Sequence, residues 1–131
     1  MVLLDTDILI GFLRNKEDAI KKISELLDKH IIISTTSINA AELYFGASIS
    51  QKKEENLVVM EKLLSKMKIF SFNLENAKIY GDIRAQLQKT GNLINELDIF
   101  IASVAIEQDI KLITRNIKYF ERIRKLKYEQ W

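Results

Sequence analysis

Val2-Leu3-Leu4-Asp5-Thr6-Asp7-Ile8-Leu9-Ile10 is the stretch that decides the reading of this chain. Val2–Leu4 is a short apolar run of the kind found inside a buried strand. Asp5-Thr6-Asp7 follows at once and is a helix-entry signal, because short oxygen-bearing side chains accept hydrogen bonds from the free N–H groups of a first turn. A buried strand that passes directly into a helix opens a strand–helix–strand unit.

The alternation continues along the chain. Ala19, Ile20, Ile23, Leu26 and Leu27 give the stretch 15–29 helical periodicity. Residues 31–34 form a short β-branched run, and Thr35-Thr36-Ser37 offers caps for a helix reaching about Ser48. Residues 52–66 are amphipathic, 68–72 read as a strand, and 75–88 as a helix stopped near Gly91. Residues 96–108 are apolar nearly all round, hence a buried helix. Lys111 to Thr114 is a strand, 119–123 a short helix, and 126–128 a last edge strand. This order predicts an α/β fold, a parallel sheet with helices on both faces, in one domain of residues 1–131. Such sheets take ligands at the carboxyl ends of their strands, near a switch in strand order. The residues just after Leu4, Ser34, Phe72 and Thr114 are therefore the places to look.

Composition narrows the chemistry. At 131 residues, with 47% hydrophobic and 29% charged side chains, the chain reads as globular rather than disordered. It has no cysteine, which excludes disulfides, thiolate metal sites and cysteine nucleophiles. The single histidine, His30, is expected at a helix end with no catalytic part, and a Ser-His-Asp triad or multi-histidine site would have to depend on it alone. No basic leader precedes a long apolar core, and no run approaches the ~20 apolar residues of a membrane span, so a cytoplasmic protein is expected. The net charge of +2 is uneven: Lys111 to Trp131 has seven basic residues against two acidic ones, leaving the rest of the chain at −3.

Within that negative part, a few acids stand where apolar residues belong. Glu25, Glu54, Glu55 and Glu61 lie on polar helix faces and are read as solvated. Asp5 and Asp7 lie in the opening apolar stretch, Glu42 in Ile38-Asn39-Ala40-Ala41-Glu42-Leu43-Tyr44-Phe45, and Asp98 in Leu97-Asp98-Ile99-Phe100-Ile101-Ala102. A buried carboxylate is costly unless paired, hydrogen-bonded or bound to a metal. No basic residue is embedded in a comparable run. Each acid has a plain structural alternative: an N-cap for Asp5 or Asp7, a dipole partner for Asp98, a satisfied core acid in Glu42. One shared metal site accounts for all three segments together. On a parallel sheet, Asp5 ends the first strand, and Asn116 follows the last in Ile113-Thr114-Arg115-Asn116. An all-oxygen set of this kind selects Mg²⁺ or Mn²⁺ and suits phosphodiester hydrolysis.

At these residues the chain resembles the PIN-domain proteins, and closely the VapC toxins of type II toxin–antitoxin systems. The likeness runs through Leu4-Asp5-Thr6-Asp7, Ala41-Glu42-Leu43 with Gly46, Arg84-Ala85 with Leu87 and Gly91, Asp98 to Ser103, Thr114-Arg115-Asn116 with Phe120, and Leu126 with Trp131. It implies a three-layer α/β/α sandwich, a Mg²⁺- or Mn²⁺-dependent endoribonuclease, a homodimer, and an antitoxin that inserts a segment into the active-site groove. Carried over by position, Asp5, Glu42 and Asp98 match the acidic metal-site residues. Asn116 matches a fourth position where many relatives have Asp, which puts tight binding of a second ion in doubt. Asp7 and Glu96 are candidates to make up that charge. Thr114 is expected to bond a phosphate oxygen or a carboxylate at the strand end. Arg84 and the basic C-terminal segment are expected to bind RNA phosphates or the antitoxin. Two rival readings remain. In a haloacid-dehalogenase-type phosphatase, Asp5-Thr6-Asp7 would supply a nucleophile and an acid/base. In a catalytically silent module, the PIN fold would only bind RNA or protein.

Overall fold

The computed structural model describes residues 1–131. Five parallel strands form the sheet: β1 (Val2–Leu4), β2 (Ile33–Thr36), β3 (Lys68–Phe70), β4 (Lys111–Thr114) and β5 (Tyr128–Gln130), in spatial order β3-β2-β1-β4-β5. Seven helices connect them: α1 (Thr6–Leu13), α2 (Glu17–Asp28), α3 (Ser37–Ser48), α4 (Lys53–Leu64), α5 (Leu74–Lys89), α6 (Glu96–Glu107) and α7 (Ile117–Phe120). No helix is long and apolar enough to cross a membrane.

Period-two alternation along the central strands makes three layers. Leu3 and Leu112 face a core of Leu87, Ile99, Ile101 and Phe120, supplied by α5, α6 and α7. Their neighbours Leu4 and Ile113 face the opposite core with Ile8, Leu9, Ile23, Leu43 and Met60, supplied by α1 to α4. All four strand residues are essentially unexposed, which is why β1 and β4 read as continuous apolar runs. The α/β/α sandwich expected from the sequence is therefore present.

Several boundaries moved. β2 starts two residues later than expected and takes in Thr35 and Thr36, because hydroxyl side chains find partners in the neighbouring strand: Ser34 Oγ donates to the Val2 carbonyl at 2.7 Å and Thr35 Oγ1 to the Leu4 carbonyl at 2.9 Å. The last strand is 128–130 rather than 126–128, since Leu126 turns into the core beside Ile123. The short helix is Ile117–Phe120 rather than 119–123. His30 lies just past α2, exposed and in the left-handed region (φ 56°).

Strands β1, β2 and β3 succeed one another to one side, and β4 and β5 extend the sheet to the other. The order reverses between β1 and β4. The crevice outside their carboxyl ends is where a sheet of this kind places a ligand.

Candidate active site

Asp5 leaves β1 at that crevice. It is the N-cap of α1: its backbone is extended, and Oδ1 accepts the Thr6 N–H at 2.9 Å. The cap is only half of its role. Oδ2 accepts the Thr114 hydroxyl at 2.8 Å, so Asp5 ties the end of β1 to the end of β4. Thr114 also lies 3.3 Å from Asp7 Oδ2 and accepts the Asn116 N–H at 3.1 Å. Asp7 Oδ2 accepts the Arg115 N–H at 2.9 Å, while its Oδ1 is buried with no partner.

Helix α3 brings the third acid. Thr36 caps it, in a reciprocal capping box with Asn39. Asn39 is fully buried, and its Nδ2 donates to Asp5 Oδ1 at 3.2 Å and to Thr6 Oγ1 at 2.9 Å. Thr6 in turn donates to Glu42 Oε1 at 2.8 Å. Asp98 is the third residue of α6, partly buried.

Burial and mutual charge act on these acids together. Asp5 is only 7% exposed. Burial first, then the neighbouring Asp7 carboxylate, push its carboxyl up to about 7, against hydrogen bonds from Thr114 and Thr6 that hold it down. Burial, then Glu42, then Asp7, push Asp98 up to about 6. None of Asp5, Asp7, Glu42 and Asp98 is in an ion pair. The acids are gathered but not closed: no three of them are placed around a common ion position, and Glu42 is bonded to Thr6.

Other expected site residues are placed differently. Thr114 is fully buried and bonded to carboxylates, so of its two expected roles the structure shows the strand-end one. Asn116 reaches the edge through its backbone; its exposed side chain caps nothing. Glu96 faces away from the acids, accepting from Tyr80 Oη and, at 2.9 Å, from Arg84 Nη1. Tyr80 stacks on Phe100 with ring centres 4.3 Å apart. Arg84 is therefore held at the start of α6 by a tyrosine and a glutamate.

The basic C-terminal segment is not one surface. Lys111, Arg115 and Lys127 are paired with Glu129, Asp18 and Asp109. Because all strands are parallel, the residues leading into β5, Arg124 to Lys127, lie at the amino edge of the sheet, opposite the acids. Sequence reading missed Thr6 and Asn39. Asn39 carried a usable signal, a polar residue one helical turn before Glu42 in an apolar run.

Beside Glu42 a cavity of about 270 Å³ opens between α1, α3 and α4, lined by Ile10, Leu13, Arg14, Leu43 and Val59 among others. Phe45 on α3, Ile49 just past its end, and Val58 and Val59 on α4 are exposed beside it. The phosphatase reading loses its footing in this geometry. Helix α1 begins at Thr6 without an intervening turn, and one oxygen of Asp7 holds the Arg115 N–H.

Comparison with known proteins agrees with the geometry. The PIN domain family model matches residues 2–126. Ribonuclease VapC2 of Rickettsia felis is 38% identical over 129 residues, 98% of this chain and 96% of that protein. The tRNA(fMet)-specific endonuclease VapC of Shigella flexneri is 33% identical over the same shares. The crystal structure of VapBC2 from Rickettsia felis, bound to a DNA fragment from their promoter, superposes with a TM-score of 0.90 over 100% of this chain and 99% of that one. A shared topology and similarity along almost the whole length lead to one assignment: the chain belongs to the PIN-domain family, in its VapC branch.

Proposed function

We propose that this chain is a divalent-metal-dependent endoribonuclease, one domain of residues 1–131, that acts in the cytoplasm as the toxin of a toxin–antitoxin pair. The observation that carries the reading is the gathering of Asp5, Asp7, Glu42 and Asp98 at the switch point of the sheet with no basic side chain paired to any of them. The residues fit a hard cation. Every donor is oxygen, Asp7 Oδ1 is buried without a partner, and the Asp5 and Asp98 carboxyls are pushed up by burial first and then by neighbouring carboxylates. Asp5 and Asp98 would hold Mg²⁺ or Mn²⁺, with Glu42 beside them.

A bound ion there would supply Lewis acidity to the scissile phosphate and a lowered pKa to the attacking water. The chain supplies the rest. Glu42, anchored by Thr6 through one oxygen, leaves its second oxygen to orient water and receive its proton. Thr114 and Asn39 fix both oxygens of Asp5, so the site is preorganised. Asn116, exposed at the start of α7, offers an uncharged amide to the substrate. Arg84 offers its guanidinium to a phosphate, with Glu96 and Tyr80 setting its direction.

The substrate is single-stranded or loop RNA, whose backbone enters a narrow groove where a duplex does not. The Shigella relative's name makes tRNA the first RNA to test. The apolar cavity beside Glu42 suits a segment of an antitoxin better than RNA, and a homodimer is expected from the family. The reading is tested by incubating RNA with the protein in Mn²⁺, Mg²⁺ or EDTA. Cleavage is expected with either metal, none in EDTA, and none from Asp98→Asn. Full activity in EDTA or from Asp98→Asn overturns it; tight Mn²⁺ binding without cleavage of any RNA identifies a silent binding module.

A further inference from the structure

Asp7 has one oxygen that the fold uses and one that it does not. Oδ2 holds the β4–α7 turn through the Arg115 N–H at 2.9 Å and stands 3.3 Å from the Thr114 hydroxyl. Oδ1 is buried and bonded to nothing. A buried carboxylate oxygen with no donor loses its hydration without replacement, a cost that native structures rarely bear without a function. Here the loose oxygen belongs to the acid that shares Thr114 with Asp5, at the carboxyl end of β4. Across Thr114 stands Asn116, whose N–H bonds the same hydroxyl and whose side chain carries no charge.

We propose that Asp7 is a further metal ligand of this site, its free Oδ1 supplying the carboxylate that position 116 does not. The proposal rests on the metal-site reading above. It accounts for the orphaned oxygen and for the division of labour between the two oxygens: one anchors the turn, the other binds.

Asp7→Asn is the clean perturbation, since the amide oxygen still accepts from the Arg115 N–H and only the charge and the free oxygen are lost. Mn²⁺ binding by calorimetry on the full chain should weaken on the order of tenfold or more, with melting in EDTA at or above the wild-type temperature. The double variant Asp7→Asn, Asn116→Asp should recover most of the affinity. In the wild type, independent of any variant, the Asp7 carboxyl ¹³C signal should broaden with substoichiometric Mn²⁺ as far as that of Asp5, while that of Asp18 stays sharp. Equal Mn²⁺ affinity in wild type and Asp7→Asn, a double variant no tighter than the single, or an Asp7 signal that stays sharp overturns the proposal. A wild type that binds no Mn²⁺ overturns the underlying reading, and this one with it.

Discussion

Replacing Asp5 by asparagine should make the metal-free protein more stable while abolishing cleavage, and the gain should depend on pH. Asp5 is 7% exposed, and its carboxyl is raised from 3.8 to about 7, chiefly by burial and then by Asp7. A carboxyl whose pKa is higher in the folded than in the unfolded state favours folding only in its protonated form. Its contribution is intact below about pH 4 and is lost as pH rises through about 7. An offset of about 3 units corresponds to a ceiling of ~4 kcal/mol at pH 8, falling to ~1 kcal/mol at pH 4.5. Protein interiors respond to a charge more than a rigid medium does, so a gain of ~2–4 kcal/mol at pH 8 is expected. The amide fits the existing bonds. Its oxygen keeps the Thr6 and Asn39 donors, and its nitrogen faces Thr114, whose hydroxyl can turn to accept and pass its proton to Asp7 Oδ2, already 3.3 Å away. Urea unfolding in EDTA at pH 8 and pH 4.5 reads both values, with an unchanged denaturant slope as the control. Saturating Mn²⁺ should then raise the wild type and leave the variant where it was. A variant less stable than wild type at pH 8, or a gain of equal size at both pH values, refutes the argument that Asp5 is held in the fold at an electrostatic cost.

Three other substitutions probe the supports. Thr114→Val keeps the shape of a fully buried residue but removes the donor that holds the Asp5 carboxyl down; it should cost ~1–2 kcal/mol in a thermal melt and move the onset of metal-dependent cleavage to higher pH. Asn39→Ala removes half of a capping box and both amide bonds to Asp5 and Thr6; about 2 kcal/mol of stability should go, and activity should fall further than that of other variants of equal stability. Arg84→Ala breaks an exposed pair, so the melt should be unchanged, while KM for RNA rises, kcat is kept and the salt dependence of binding flattens.

The fold was readable because its signals are local. A strand buried on both faces leaves an unbroken apolar run, and Val2–Leu4 and Lys111–Thr114 have the expected bounds. The edge strand was placed two residues early because exposed Tyr128, Glu129 and Gln130 carry no apolar signature; what makes them a strand is pairing with β4. The acids were legible for the opposite reason, as charges that break an apolar pattern. Their supports were not. Thr6, Asn39 and Thr114 are ordinary cap and strand residues by type, and only the pairing of segments 33 to 109 positions apart reveals which carboxylate each one serves. Glu96 shows the converse: two residues from Asp98, it looks like a fourth acid, but at the first position of α6 it points to α5 and Arg84.

The position of the site follows from the same balance of terms. Four carboxylates at one place oppose folding, and only a well-buried scaffold can hold them. They stand at the junction of β1 and β4, whose Leu3, Leu4, Leu112 and Ile113 are essentially unexposed and anchor both cores at once. Moved to β3 or β5, the short and exposed edges, the same acids would meet a backbone free to spread and relieve their repulsion. At the centre the sheet cannot give way, so the repulsion is retained, and in the proposed reading a bound cation would relieve it.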